Sequence, residues 1–158
     1  MKGSEPNLKL IYQITNEAIK KQISRKNVLE SKAQIAIAFN GGILGLLINA
    51  INNILSQNNI THLLFFTSVV FISISIILAG LVLWTQKYRT DPNPEVLSTK
   101  YLNSSANELY LQLISNLTEA WKIGHQKNET KALILRFSYL TLLLGFVIIG
   151  ISLFLSLS

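Results

Sequence analysis

From Ala33 through Gln86 the chain carries no Asp, Glu, Lys or Arg, and a second uncharged run, Phe137 to Ser158, closes it. A hydrocarbon core roughly 30 Å thick takes about 20 apolar residues of helix to cross. The first run therefore holds two crossings, residues 33–55 and 63–84, divided by the polar stretch Ser56-Gln57-Asn58-Asn59, and the closing run supplies a third, residues 134–157. Backbone amides in lipid must find partners within their own segment, which makes helix the conformation of all three. The expected fold class is an all-α membrane protein with three transmembrane helices and two cytoplasmic helical extensions, assembled as a homo-oligomer.

At 158 residues, with close to half of them in membrane, the chain has no room for a separate catalytic domain. It contains no Cys, so disulfides and thiolate metal sites are excluded. The two histidines, His62 and His125, fall on opposite sides of the membrane in the topology below, one as an interfacial residue and the other as a solvated helix residue. Neither has partners placed for a triad or a metal site, so no enzyme, metal or cofactor is expected. The first 33 residues are too polar for a cleaved signal peptide, and the first span is expected to be retained.

Charge sets the orientation. Lys2, Lys9, Lys20, Lys21, Arg25, Lys26 and Lys32 precede the first span, while the turn between the first two spans has no Lys or Arg. Lys87, Arg89, Lys100, Lys122, Lys127 and Lys131 lie between the second and third spans. The positive-inside rule then puts the N-terminus and the long connection in the cytoplasm and the C-terminus in the periplasm. Trp84 and Tyr88 fall where an aromatic belt anchors the second span, and Arg136 can snorkel to the same interface. This rule explains most of the net charge of +6, which by itself is no sign of nucleic-acid binding.

Outside the membrane, residues 7–32 form an amphipathic helix: Leu8, Ile11, Tyr12, Ile19 and Ile23 recur at three- and four-residue spacing opposite a Lys-rich face. Pro6 suits its first turn, and Ser4 or Asn7 could cap it. Residues 85–131 form the cytoplasmic connection, with a breaker at Asp91-Pro92-Asn93-Pro94 and a helix over 105–130 opened by a Ser105/Glu108 capping box. Its stripe of Ala106, Tyr110, Leu113, Leu117, Ala120 and Trp121 must pack on the N-terminal helix, on another subunit or on headgroups. Gly124 is a point at which this helix could bend before the third span.

Gln34, Ala38, Gly41, Gly45, Asn49 and Asn52 of the first span share one face of a helix, a small and polar stripe along its length. The third span repeats the theme with Ser138, Thr141, Gly145, Ser152 and Ser156, and the second more weakly with Ser68, Ser75 and Ala79. Helix packing explains such stripes, because Gly and Ser permit close approach and Asn bonds across the contact. A water-filled path explains them equally well, with the first span lining a pore whose wall is polar and uncharged. One subunit has too few helices to enclose a pore, so that alternative requires a homo-oligomer, a tetramer among the candidates. Asn40 points away from the stripe, toward a neighbouring helix or an interrupted turn at Gly41-Gly42.

Glu30-Ser31-Lys32-Ala33 leading into Phe39-Asn40-Gly41-Gly42 resembles the opening of the first span in Pycsar-effector-type membrane proteins. The likeness continues through Tyr101, a Leu/Ile-rich helix to Leu117, and Asn128-Glu129-Thr130-Lys131 ahead of a third span with Gly145. Glu30 stands where that family more often has Asp, and the connection between the second and third spans is compressed. The resemblance implies an inner-membrane effector of a bacterial anti-phage system, silent until a nucleotide or oligonucleotide second messenger arrives from a cyclase or nucleotidyltransferase. The membrane channel effectors of Hailong systems are similar in size and logic.

A phosphate-bearing signal would seek cytoplasmic cations, and Lys20, Lys21, Arg25 and Lys26 are the densest cluster. The same cluster is also accounted for by topology and lipid-headgroup attraction, and the chain has no Gly-rich phosphate loop. Three functions stand: a gated homo-oligomeric channel or pore, a non-conducting scaffold that recruits a cytoplasmic partner, and a holin-like lysis protein, against which the sizeable cytoplasmic helices weigh.

Overall fold

The computed structural model describes residues 5–54, 59–84, 99 and 104–157. They form three long helices, α1 (Glu5–Ile54), α2 (Asn59–Leu83) and α3 (Ala106–Leu157), with no strand among the described residues. Each is long and apolar enough to cross a membrane. The all-α, three-span architecture expected from the uncharged runs is thus the observed one. The Asp91-Pro92-Asn93-Pro94 breaker, Lys87, Tyr88, Arg89, Lys100 and Tyr101 lie outside the described residues, as do Ser4 and Ser56–Asn58.

Helix starts follow local chemistry. Pro6 occupies the first turn of α1, where its missing N–H costs no helical bond; Asn7 lies inside the helix and so is not its cap. At α3 the Ser105 N–H donates to the Glu108 carboxylate at 3.3 Å and the Glu108 N–H donates to Ser105 Oγ at 3.4 Å, the reciprocal capping box. Helix continues through Gly41-Gly42 and through Gly124. A glycine costs a helix only about 1 kcal/mol, whereas an unpaired backbone amide in lipid costs several, so the Gly41-Gly42 turn stays closed.

Burial along the helices alternates in steps of four and three. In α2 the buried residues are Thr61, Phe65, Ser68, Ile72, Ser75, Ala79 and Val82. In α3 the same stepping runs from Leu113 through Leu117, Ala120, Gly124, Asn128 and Lys131 to Leu135, Ser138, Leu142, Gly145, Ile149 and Ser152. A mean spacing of about 3.5 residues is the seam of helices packed knobs-into-holes.

The chain divides into two compact units, one from Met1–Asn27 with Gln86–Thr130 and the other from Val28–Thr85 with Lys131–Ser158. In the first, α1 and α3 pair directly. Tyr12 and Tyr110 meet with ring centroids 5.8 Å apart, Leu8, Leu113, Leu117 and Ala120 are buried, and the buried Asn128 amide donates to Gln22 O at 2.9 Å and to Gln22 Oε1 at 2.8 Å. The apolar stripe of the second extramembrane helix is therefore covered within the chain, except at the exposed Ala106. His125 is not solvated as the sequence led us to expect: it is half-buried, stacked on Trp121 at 5.1 Å and 6°.

In the second unit α1 and α3 run parallel and α2 runs antiparallel to both. Ala33, Ala36, Ala79, Val82 and Leu135 make one apolar cluster, with Leu29 and Ile134 against it, and Phe65 with Ile149 makes another. The small residues set how near the helices come. A Cβ placed on Gly145 would sit 2.9 Å from Ile72 Cγ1 and 3.4 Å from the Ser68 carbonyl oxygen, so glycine is what permits this α2–α3 contact.

Candidate functional site

Three polar stripes look alike in the sequence, and their neighbours distinguish them. The buried serines in those of α2 and α3 are consumed by mutual packing, while Thr141 and Ser156 donate to carbonyls of their own helix. Ser75 Oγ donates to the Ser138 carbonyl at 2.8 Å and Ser138 Oγ donates to the Ser75 carbonyl at 2.9 Å. Further along, Ser152 Oγ donates to the Thr61 carbonyl at 3.2 Å. Ser68, Ser75, Ser138 and Ser152 are all buried, and Gly145 lies in the same seam. For these two helices the packing explanation of the polar residues holds.

The stripe of α1 is arranged otherwise. Gln34, Ala38, Gly41, Gly45 and Asn49 are all exposed, and a Cβ added at Gly41 or Gly45 would meet nothing within 4 Å. The side chain of Asn52 lies outside the described residues. Asn40 turns the opposite way, fully buried, and donates to Ser75 Oγ at 2.9 Å; of the alternatives open in the sequence, the bond to a neighbouring helix is the one formed. Its carbonyl oxygen has no hydrogen-bond partner among the described residues. Among the described residues the three spans are thus packed with their seams inward, and the small-and-polar face 34 through 49 is exposed.

The basic cluster divides similarly. Lys20 and Lys21 are exposed. Arg25 is committed to Glu129 at 2.8 Å, and Lys26 is half-buried with a contact of its own. Four neighbouring cations in sequence therefore present two that face solvent and two already engaged. Beside them, Ile14, Thr15, Ala18, Thr118 and Trp121 line a small open cleft between α1 and α3. No group of three or more His, Cys, Asp or Glu capable of holding a metal occurs among the described residues.

Sequence reasoning missed the polar couplings across the helices. Glu30 pairs with Lys131, which is buried at the start of the third span, and Gln22 pairs with Asn128. The signal was present in the motifs themselves, since Glu30, Asn40, Asn128 and Lys131 each sit on or beside a seam position where an apolar residue would otherwise belong.

The family model for the Pycsar effector protein domain matches residues 16–157. The chain belongs to the Pycsar effector family. The match takes in α2 entirely, all but the first residues of α1, and α3 to its end. As a Pycsar effector, the chain is a membrane protein and an effector of anti-phage defence. Comparison with curated proteins found no match, and comparison with solved structures found none.

Proposed function

We propose that this Pycsar effector forms a homo-oligomeric ion channel or pore, gated by a nucleotide signal from a partner cyclase or nucleotidyltransferase, which breaches the bacterial inner membrane during phage infection. The observation that carries the reading is the exposed face Gln34, Ala38, Gly41, Gly45, Asn49 of α1. Amide side chains gain nothing from lipid, and the buried serines of α2 and α3 are spent on mutual packing. A ring of copies would turn this face toward a shared water path or toward neighbouring α1 helices. The wall so formed has no charge, which fits conduction with weak charge selectivity.

The N-terminus is cytoplasmic in this reading and the C-terminus periplasmic, supported by the Lys and Arg distribution. The protein acts without catalysis. Lys20 and Lys21 are the cations a phosphate meets first, and Arg25 would exchange Glu129 for the ligand. Such an exchange loosens the α1–α3 contact, so the ligand binds the opened arrangement better than the closed one, as gating requires.

The test is ion flux through liposomes holding the purified protein, wild type against Asn49→Leu/Asn52→Leu, with and without cyclic nucleotides. Flux that requires a nucleotide and changes with the Asn pair supports the reading. Absence of flux from inserted, folded protein overturns it in favour of a non-conducting scaffold.

A further inference from the structure

The α1–α3 junction of the membrane unit carries a pattern the channel reading does not use. Tyr139 donates its hydroxyl to the Lys32 carbonyl at 3.4 Å, which brings the Lys32 level of α1 beside Tyr139 of α3. Arg136 lies three residues before Tyr139, a neighbour on the same helix face. Lys32 and Arg136 are both exposed, and neither has a carboxylate partner among the described residues. Two exposed cations and a phenol therefore share the level where the uncharged first span begins, Lys32 on α1 and Arg136 with Tyr139 on α3.

Seven residues further along both helices, roughly 10 Å deeper at 1.5 Å per residue, Phe39 and Phe146 approach with ring centroids 6.1 Å apart. Both rings are exposed, Phe39 at 57% and Phe146 at 37%, so the junction presents an aromatic surface to whatever lies beside it. Exposed cations above an aromatic surface match one class of ligand end to end: a phosphate head on a hydrocarbon tail. We propose that Lys32 and Arg136 bind the headgroup phosphate of an anionic phospholipid whose acyl chain lies along Phe39 and Phe146, with Tyr139 tying the Lys32 turn of α1 to the Arg136 turn of α3. A soluble phosphate or nucleotide shares the head chemistry but has no tail for Phe39 and Phe146, which is why the lipid is the assigned source. The inference is independent of conduction and of the Lys20/Lys21 cluster.

The full chain in detergent, titrated with phosphatidylglycerol or with phosphatidylcholine of the same acyl composition and read by native mass spectrometry, tests it. Wild type is expected to retain phosphatidylglycerol in preference to phosphatidylcholine. Lys32→Gln/Arg136→Gln should weaken that retention about tenfold or more, while Lys122→Gln, an exposed lysine elsewhere on α3, leaves it unchanged. The charge-conserving pair Lys32→Arg/Arg136→Lys controls for folding and should keep the preference. Equal retention by wild type and the Gln pair, or no preference over phosphatidylcholine, overturns the site. Displacement of the lipid by equimolar inorganic phosphate or a cyclic nucleoside monophosphate overturns the lipid assignment and gives the cations to a soluble ligand.

Discussion

Asn40 donates to the Ser75 hydroxyl, and Ser75 passes its own proton to the Ser138 carbonyl, so one buried chain of bonds ties all three membrane helices. The two ends of this chain are unequal. Removing Asn40 leaves Ser75 still bonded to Ser138, whereas removing the Ser75 hydroxyl strands an amide that already has an unpartnered oxygen.

Ser75→Ala is accordingly expected to destabilise more than Asn40→Ala. Intramembrane side-chain bonds average about 0.6 kcal/mol and reach about 1.7, and a stranded buried donor adds its own desolvation cost. Unfolding of both single variants and the double variant by SDS titration in mixed micelles measures the difference: equal single costs would overturn the ranking, and additive costs in the double variant would show that the Asn40–Ser75 bond contributes nothing.

The Glu30–Lys131 pair should behave as a buried ion pair does. Lys131 is 3% exposed and Glu30 25%, so Glu30→Gln removes the carboxylate from beside a buried ammonium, at about 3 kcal/mol, the lower end of the range for broken buried pairs because Glu30 retains some solvent. Replacing both with apolar residues, Glu30→Leu with Lys131→Met, should cost much less than the single change. Stability of the three variants in the same titration decides it.

Glycines on opposite sides of the bundle have opposite expectations. At Gly145 even Ala forces Ile72 to move, and overpacking of this kind costs about 1–3 kcal/mol. At Gly45 a side chain meets open space, so Gly45→Leu should leave the monomer's stability within about 0.5 kcal/mol of wild type. If the α1 face meets other copies, Gly45→Leu will instead shift the cross-linked oligomer distribution.

Lys20→Glu/Lys21→Glu is expected to leave the fold intact, since both side chains are exposed. Loss of nucleotide-dependent flux with unchanged stability would tie the cluster to the signal; flux equal to wild type would reduce it to a topology determinant.

The membrane spans were legible because the absence of charge over such lengths admits only one solution in lipid. The capping box was legible because its chemistry is local. The seams were not. Ser75, Ser138 and Ser152 stood out as polar stripes, but packing and a water path explained such stripes equally well, and only the cross-helix bonds decide for packing. On a helical wheel the stripe through Gly145 is indistinguishable from the stripe through Gly45, and only the neighbour at 2.9 Å separates a packing glycine from an open one. Arg25 reads as a free cation because its partner, Glu129, lies 104 positions away in the chain.

The close approach at Gly145 also makes the membrane unit mechanically uneven. α2 and α3 are fastened to each other along their length, by reciprocal serine bonds at Ser75 and Ser138, by Ser152 on Thr61, and by backbone nearly in contact between. α1 is held by alanines and leucines, the Asn40 amide, the Glu30–Lys131 pair, the Tyr139 bond to the Lys32 carbonyl and the Phe39–Phe146 contact. Among the described residues none of its glycines comes as close to a neighbour as Gly145 does. Bond for bond, the hairpin of α2 and α3 is the more firmly fastened part of this unit, and a motion that sacrifices the fewest of the described side-chain bonds would displace the helix that carries the uncovered polar face.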